Sequence, residues 1–259
     1  MLATGPIGFI GTGAITEAMV RGLLAPMPVV ETVVVSPRNA AIAARLAADF
    51  PGVRIAGDNP EIVEACQTLV LAVRPQIAEE VIRPLQFRDG QRVISVIAAT
   101  DRDRLLSWIG ADVRLTQAIP LPFVARRAGV TAIYPPDALT AALFTAMGTT
   151  VECETRQEYD LLAAASAVMA SYFGIMHRTN EWLADHGLAE QKGRAYIAPL
   201  FAELSRSAVA AVDTPFIDLS REYATKGGLN EQVFNDFETH GGTAALRTAL
   251  DRVLARITG

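Results

Sequence analysis

Nine residues near the N-terminus carry the sharpest chemical signal in the chain: Gly8-Phe9-Ile10-Gly11-Thr12-Gly13-Ala14-Ile15-Thr16. An apolar run precedes Gly11 and Gly13 and a helix-forming stretch follows them, the setting a dinucleotide-binding turn requires. Gly11 permits the tight turn. Gly13 lets backbone amides approach a pyrophosphate at the positive end of the helix that Ala14 and Ile15 open. Thr16 holds the third fingerprint position, where Gly or Ala would let strand and helix pack more closely. Further on, Val33-Val34-Val35 runs into Ser36-Pro37-Arg38-Asn39. A pocket for NAD carries Asp or Glu there to bond the ribose hydroxyls, whereas a hydroxyl and a guanidinium suit a 2′-phosphate. The reading is NADP(H), with Gly11, Thr12, Gly13, Ala14, Ile15, Ser36 and Arg38 as contacts.

A second candidate lies near the other end, at Ala224-Thr225-Lys226-Gly227-Gly228-Leu229-Asn230. Two adjacent glycines before a helix leave backbone amides free to approach an anion, and a helix start near Asn230 adds its positive end. Asn230 is a good N-cap residue, and the Thr225 hydroxyl is placed to donate a hydrogen bond. Other ionisable groups carry less. His177, His186 and His240 are isolated, which argues against a metal site. Cys66 and Cys153 cannot form a disulfide framework and read as small buried apolar residues. No nucleophile elbow or Ser/His/Asp arrangement stands out.

Alternating elements are what must position the first site. Residues 7–10, 33–35, 53–55, 68–73, 92–98 and 113–117 read as strands, and 14–24, 40–50 and 61–65 as helices between them. The unbroken apolar character of 68–73 is that of a strand buried on both faces. The expectation is an α/β fold, a Rossmann-type doubly wound parallel sheet over residues 1–152. From about Tyr159 the pattern is helical alone, giving an all-helical dimerisation domain over 153–259. Its longest helix is expected over 161–183, apolar nearly all round and therefore buried on all sides, either as a helix shared between two copies of the chain or as a central core helix within one. Later helices are expected over 192–212, 231–239 and 243–256.

Composition bounds the function classes. The 259 residues carry a net charge of −5, with 51% hydrophobic and 20% charged residues. That is a globular balance, and an acidic one argues against a nucleic-acid or anionic-membrane binder. No basic segment precedes an apolar run at the N-terminus, so no secretory signal is expected. The longest uncharged stretch, 161–176, falls short of the ~20 apolar residues of a membrane helix. A cytoplasmic protein is the expectation. Lysine occurs only at Lys192 and Lys226.

Gly8 through Ala18, Ser36, Arg38, Asn59, Leu71-Ala72-Val73-Arg74-Pro75-Gln76 and Val93 to Ala99, together with Thr225-Lys226-Gly227-Gly228 and Glu238 through Gly242, resemble pyrroline-5-carboxylate reductases. The resemblance spans nearly the whole chain. It implies an NADPH-dependent reductase of a cyclic imine, pyrroline-5-carboxylate to L-proline, working as an interlocked homodimer or higher homo-oligomer. It places Asn59 on the adenosine side of the cofactor and Ala72 and Val73 on the nicotinamide side. Arg74 stands where the family commonly has Lys, either favouring the phosphates or capping the strand end. Gly227, Gly228 and Leu229 would bind the substrate, Thr225 would donate to its carboxylate, and Asn230, aligned with a family Thr, would face the imine. The family's Met-Pro-Asn-Thr-Pro loop reads Gln117-Ala118-Ile119-Pro120-Leu121-Pro122 here, and its Ser-Gly-Ser-Gly-Pro segment reads Ser166-Ala167-Val168-Met169-Ala170. These departures keep two alternatives in view: a reductase of another imine or keto acid, and a non-catalytic NADP-binding sensor.

Overall fold

Short β-branched and apolar runs pair edge to edge in a computed structural model that describes Leu2 and residues 5–259. β1 (Ile7–Ile10), β2 (Val33–Val35), β3 (Val53–Ile55), β4 (Thr68–Leu71), β5 (Arg92–Ser95) and β6 (Arg114–Pro120) run parallel in the order β3-β2-β1-β4-β5-β6. α1 (Ala14–Leu24), α2 (Ala40–Asp49), α3 (Asn59–Ala65), α4 (Ala78–Ile82) and α5 (Arg102–Ile109) make the crossovers. Side chains alternate across the sheet. Ile7, Phe9, Val33, Val35 and Val70 pack under Met19, Leu23 and Leu46 on one face. Ile10, Val34, Leu69 and Leu71 pack under Ile62, Ile82 and Leu105 on the other. Both faces are therefore dry, as a doubly wound sheet requires.

The sheet is larger than the six strands expected, and it is mixed. β7 (Gly129–Tyr134) lies antiparallel to β6, and β8 (Gly148–Glu152) parallel to β7. The link from β6 to β7 is eight residues, 121–128, too short for the parallel crossover of a dozen or more residues, so the chain turns back. α6 (Ala138–Thr145) then crosses over and restores the parallel sense. β8 is an edge strand with mostly exposed side chains and lacks the apolar run that marks a central strand.

The chain forms two compact units, one reaching to Ala163 together with Arg256–Gly259, the other Ala164–Ala255. The first extends past residue 152 because the start of α7 (Arg156–Ser166) packs on the sheet. Tyr159 is buried with Cys153 and Ala132, its ring 6.2 Å from that of Tyr134, and Arg156 pairs with Asp101 and Asp160.

The helix expected over 161–183 is broken by a turn at 167–168, leaving α7 and α8 (Met169–Asp185). It is neither the longest nor buried. α9 (Glu190–Ala210) is longer, and α8 holds no buried residue, packing on α9 with the rings of Tyr172 and Phe201 edge to face at 5.7 Å. α10 (Phe216–Glu222) was not apparent in the sequence pattern; α11 (Leu229–Thr239) and α12 (Gly242–Thr258) complete the chain. Taken with α7, the stretch 156–185 is long and apolar enough by length and composition to cross a membrane, contrary to the reading of the shorter uncharged run. The turn divides it into 11- and 17-residue helices, each short of the ~20 residues that span a bilayer.

Candidate functional site

The carboxyl ends of β1, β2 and β4 open into a crevice, the place where doubly wound sheets bind ligands. Gly11, Thr12, Gly13, Ser36, Arg38, Asn59, Ala72, Val73 and Arg74 line it together. Ala14 and Ile15 form the first turn of α1 behind it. Asn39, Ile77 and Val81 line it as well and were not singled out from sequence. Ile77 and Val81 sit four apart after β4, a helical spacing that could have revealed them.

Local chemistry builds the crevice. β4 ends at Leu71, so Ala72 and Val73, expected inside the strand, lie beyond its end. Gly11 has φ +102°, and a Cβ there would come within 2.5 Å of the Ala72 carbonyl oxygen. Only glycine fits. Gly13 is the N-cap of α1 and supplies no capping side chain, so the first amides of the helix remain available to an anion. Thr16, expected only to crowd the strand–helix contact, is fully buried and donates to the Gly11 carbonyl at 2.7 Å. It braces the turn.

Ser36 lines the crevice and is also tied into the glycine turn. Its hydroxyl is buried and accepts from the Gly11 amide at 3.1 Å. Thr12 donates its one hydroxyl proton to the Ser36 carbonyl at 2.7 Å, which leaves Ser36 to donate to Thr12 Oγ1 at 3.0 Å. With donor and acceptor both engaged, Ser36 ties β2 to the glycine turn and has no proton left for a phosphate. Arg38 and Arg74 at this end are both exposed, and neither is in an ion pair among the described residues. Among the described residues, no acid lines the crevice. Glu17, the nearest acid along α1, is held by Arg45 and Arg21, and the Arg45 guanidinium keeps its carboxyl below the usual range. The crevice is therefore net positive and fits a phosphorylated dinucleotide.

Asn59 opens α3, two residues earlier than that helix was expected. Asp58 caps the helix by accepting from the Glu61 amide at 2.9 Å, while Glu61 accepts from the Gly57 amide at 2.6 Å. This reciprocal cap fixes where Asn59 enters the crevice. Within β6, Gln117 Nε2 donates to the Thr100 carbonyl at 2.8 Å, tying the residue that opens the altered 117–122 segment to the loop after β5.

The Gly227–Gly228 loop belongs to the second unit. Its helix starts at Leu229 with Gly228 as N-cap, so Asn230 lies inside the first turn and is not the cap. Asn230 Nδ2 donates to the Tyr223 carbonyl at 2.8 Å, leaving its side-chain oxygen as the open group. The two glycine amides, expected free, are both taken. Gly227 (φ +73°) donates to Glu231 Oε2 at 2.6 Å, and Gly228 to the Thr225 carbonyl at 2.7 Å. Thr225, Lys226 and Leu229 are exposed. Glu231 was missed because its reach depends on the turn conformation, although its position three residues after a helix N-cap is the spacing of a capping box.

Among the described residues, no group of three or more His, Cys, Asp and Glu side chains is placed to hold a metal ion. His186 and His240 each bond through Nδ1 to a backbone carbonyl one turn earlier. Burial pushes the Cys66 thiol up to about 11, so it is an inert apolar residue.

Known proteins share this fold. The family model described as NADP oxidoreductase, coenzyme F420-dependent, matches residues 6–99, from the start of β1 to just past β5. The pyrroline-5-carboxylate reductase of Vibrio alginolyticus is 25% identical over 262 residues, which cover 96% of this chain and 95% of its own length. Among solved structures, a pyrroline-5-carboxylate reductase from Coxiella burnetii superposes with a TM-score of 0.86 over 98% of both chains at 22% identity. The Plasmodium falciparum pyrroline carboxylate reductase with NADP bound gives 0.82 at 16% identity, covering 99% of this chain and 98% of that one. Likeness at these identities carries the fold, from the first strand to the last helix.

Proposed function

We propose that this chain, a divergent member of the pyrroline-5-carboxylate reductase family, reduces a cyclic imine with NADPH and converts pyrroline-5-carboxylate to L-proline. The observation that carries the proposal is the positive crevice without an acid at the end of β2, within a chain similar from end to end to those reductases. NADPH, when bound, supplies the hydride. The chain supplies position and charge: the open amides of α1 face the pyrophosphate, Arg38 the 2′-phosphate, Asn59 the adenosine, and Ala72 and Val73 the nicotinamide. In the Gly-Gly loop, Thr225 donates to the substrate carboxylate. The free Asn230 oxygen accepts from the protonated imine nitrogen and holds the better electrophile in place. No general base is needed, because the nitrogen arrives protonated and the hydride goes to carbon. Residues 1–152 are thus read as the NADP-binding domain and 153–259 as the substrate and dimerisation domain, in a cytoplasmic enzyme.

NADPH oxidation measured over a panel of imines and keto acids tests the proposal. Turnover of pyrroline-5-carboxylate is expected, and tight NADPH binding with no turnover of any compound would identify a sensor instead. Thr225→Val is expected to raise KM for pyrroline-5-carboxylate roughly ten- to a hundredfold, the worth of a hydrogen bond to a charged group. NADPH affinity should stay within error, and an unchanged KM would move the substrate site elsewhere.

A homodimer is the second part of the proposal, supported by the apolar side chains that the helices of the second unit leave uncovered. Phe173 is 62% exposed, Trp182 58% and Tyr196 70%. Exposed apolar area on this scale marks an interface, and obligate dimers often bury above ~2,000 Å². Light scattering at micromolar concentration should return at least twice the chain mass of 27.7 kDa. A monomeric mass would overturn the dimer.

A further inference from the structure

We infer that Thr12 is a positioning residue for cofactor choice: its buried hydroxyl fixes the distance between the pyrophosphate and 2′-phosphate subsites, and through that distance the preference for NADPH over NADH. This rests on the crevice described above and on the reading that Arg38 takes the 2′-phosphate. The two subsites belong to different elements. The pyrophosphate faces the glycine turn and the first amides of α1, whereas Arg38 follows β2. NADPH carries both anionic groups on one ribose, so their separation is fixed and the two elements must be held to match it. NADH occupies the first subsite alone and tolerates a change in their spacing.

Backbone pairing stops short of the place where they must be held. The last backbone bond between β1 and β2 runs from the Ser36 amide to the Phe9 carbonyl at 3.1 Å, before the chain reaches Gly11. Beyond it, among the described residues, side-chain hydroxyls join the turn to the end of β2. The Gly11 amide donates to Ser36 Oγ at 3.1 Å, and Thr12 Oγ1 bonds the Ser36 carbonyl at 2.7 Å and Ser36 Oγ at 3.0 Å. Thr12 thus supplies two of these three ties. It is 4% exposed and Ser36 1%, so water has no room to replace a lost bond. Pro37 carries the position of Ser36 on to Arg38, because its ring locks its own φ and holds the residue before it extended. Thr16 acts differently. Its bond to the Gly11 carbonyl stays between the turn and α1, so it fixes the shape of the turn and not its distance from β2.

The test measures dissociation constants for NADPH and for NADH by isothermal titration of the full chain, with thermal melting alongside. Thr12→Val removes the hydroxyl at nearly constant volume, and Thr12→Ala carries the same expectation should the valine variant fold poorly. Thr12→Val is expected to weaken NADPH about tenfold, the worth of a buried hydrogen bond, and to leave NADH within error. Thr12→Ser keeps the hydroxyl and should restore the preference. Thr16→Val should weaken both cofactors by one factor and leave the preference where it was. Equal losses for the two cofactors in Thr12→Val would reduce Thr12 to a structural brace. Unchanged or tighter NADPH binding would mean that the Ser36 proton released by the substitution matters and the spacing does not. Either result overturns the inference and leaves the NADPH reading standing. A wild-type chain that binds NADH as tightly as NADPH overturns that reading as well.

Discussion

Gly11→Ala is expected to weaken NADPH binding by about a hundredfold, roughly 2.7 kcal/mol, in a chain that still folds. The backbone at Gly11 has φ +102°, where an L side chain is strained at a cost of order 1–3 kcal/mol. The new methyl would also sit 2.5 Å from the Ala72 carbonyl oxygen, and a backbone atom cannot swing aside as a side chain does. The turn must shift. Ser36 holds the Gly11 amide and Thr16 its carbonyl, so a shift there disturbs the path by which Gly13 presents the amides of α1. Isothermal titration with NADPH reads the loss, and circular dichroism confirms the fold. Unchanged affinity in a folded variant would show that the turn does not touch the cofactor.

The second large effect is at Arg38. Arg38→Ala should raise the dissociation constant for NADPH roughly ten- to a hundredfold, the worth of a charge-assisted bond to phosphate. NADH binding should be unmoved. The preference for the phosphorylated cofactor therefore collapses in one substitution, because Ser36 has no proton left to offer. Arg38 is exposed, so the wild-type preference should narrow as salt is raised. A preference for NADPH that survives Arg38→Ala would place the 2′-phosphate elsewhere, with Arg74 the next group to test.

How much of this was legible in the sequence follows from which interactions are local. The bounds of β1, α1, β2 and β3 could be read because apolar runs bracketed by Gly and Pro are near-neighbour signals, and the glycine turn, Ser36 and Arg38 followed from them, whereas Asn59, Ala72, Val73 and Arg74 came from the family resemblance. β8 was missed because an edge strand with polar, glycine-bearing sequence carries little period of its own, and the direction of β7 is set by connection length. The helix expected over 161–183 failed at 167–168, in the segment where the sequence departs from the family's Ser-Gly-Ser-Gly-Pro. Its all-round apolar character did not translate into burial within the chain, where α8 holds no buried residue. Site residues were found by type, but not by what their hydrogen atoms do. Thr16 and Ser36 turned out to brace the turn, and Glu231 takes the Gly227 amide by reaching back four residues. Such pairings depend on backbone geometry that spacing alone does not reveal.

The central claim is that the chain moves a hydride from NADPH to the carbon of a ring C=N bond. NADPH carrying deuterium at C4, in each of its two stereoisomers, tests it directly when incubated with pyrroline-5-carboxylate and with 1-pyrroline. One of the two isomers should deliver a single deuterium to the former imine carbon, giving proline labelled at C5 or pyrrolidine labelled beside nitrogen, in step with NADPH consumed. Bound NADPH with no label in any amine product, from either isomer and either ring, would contradict the account.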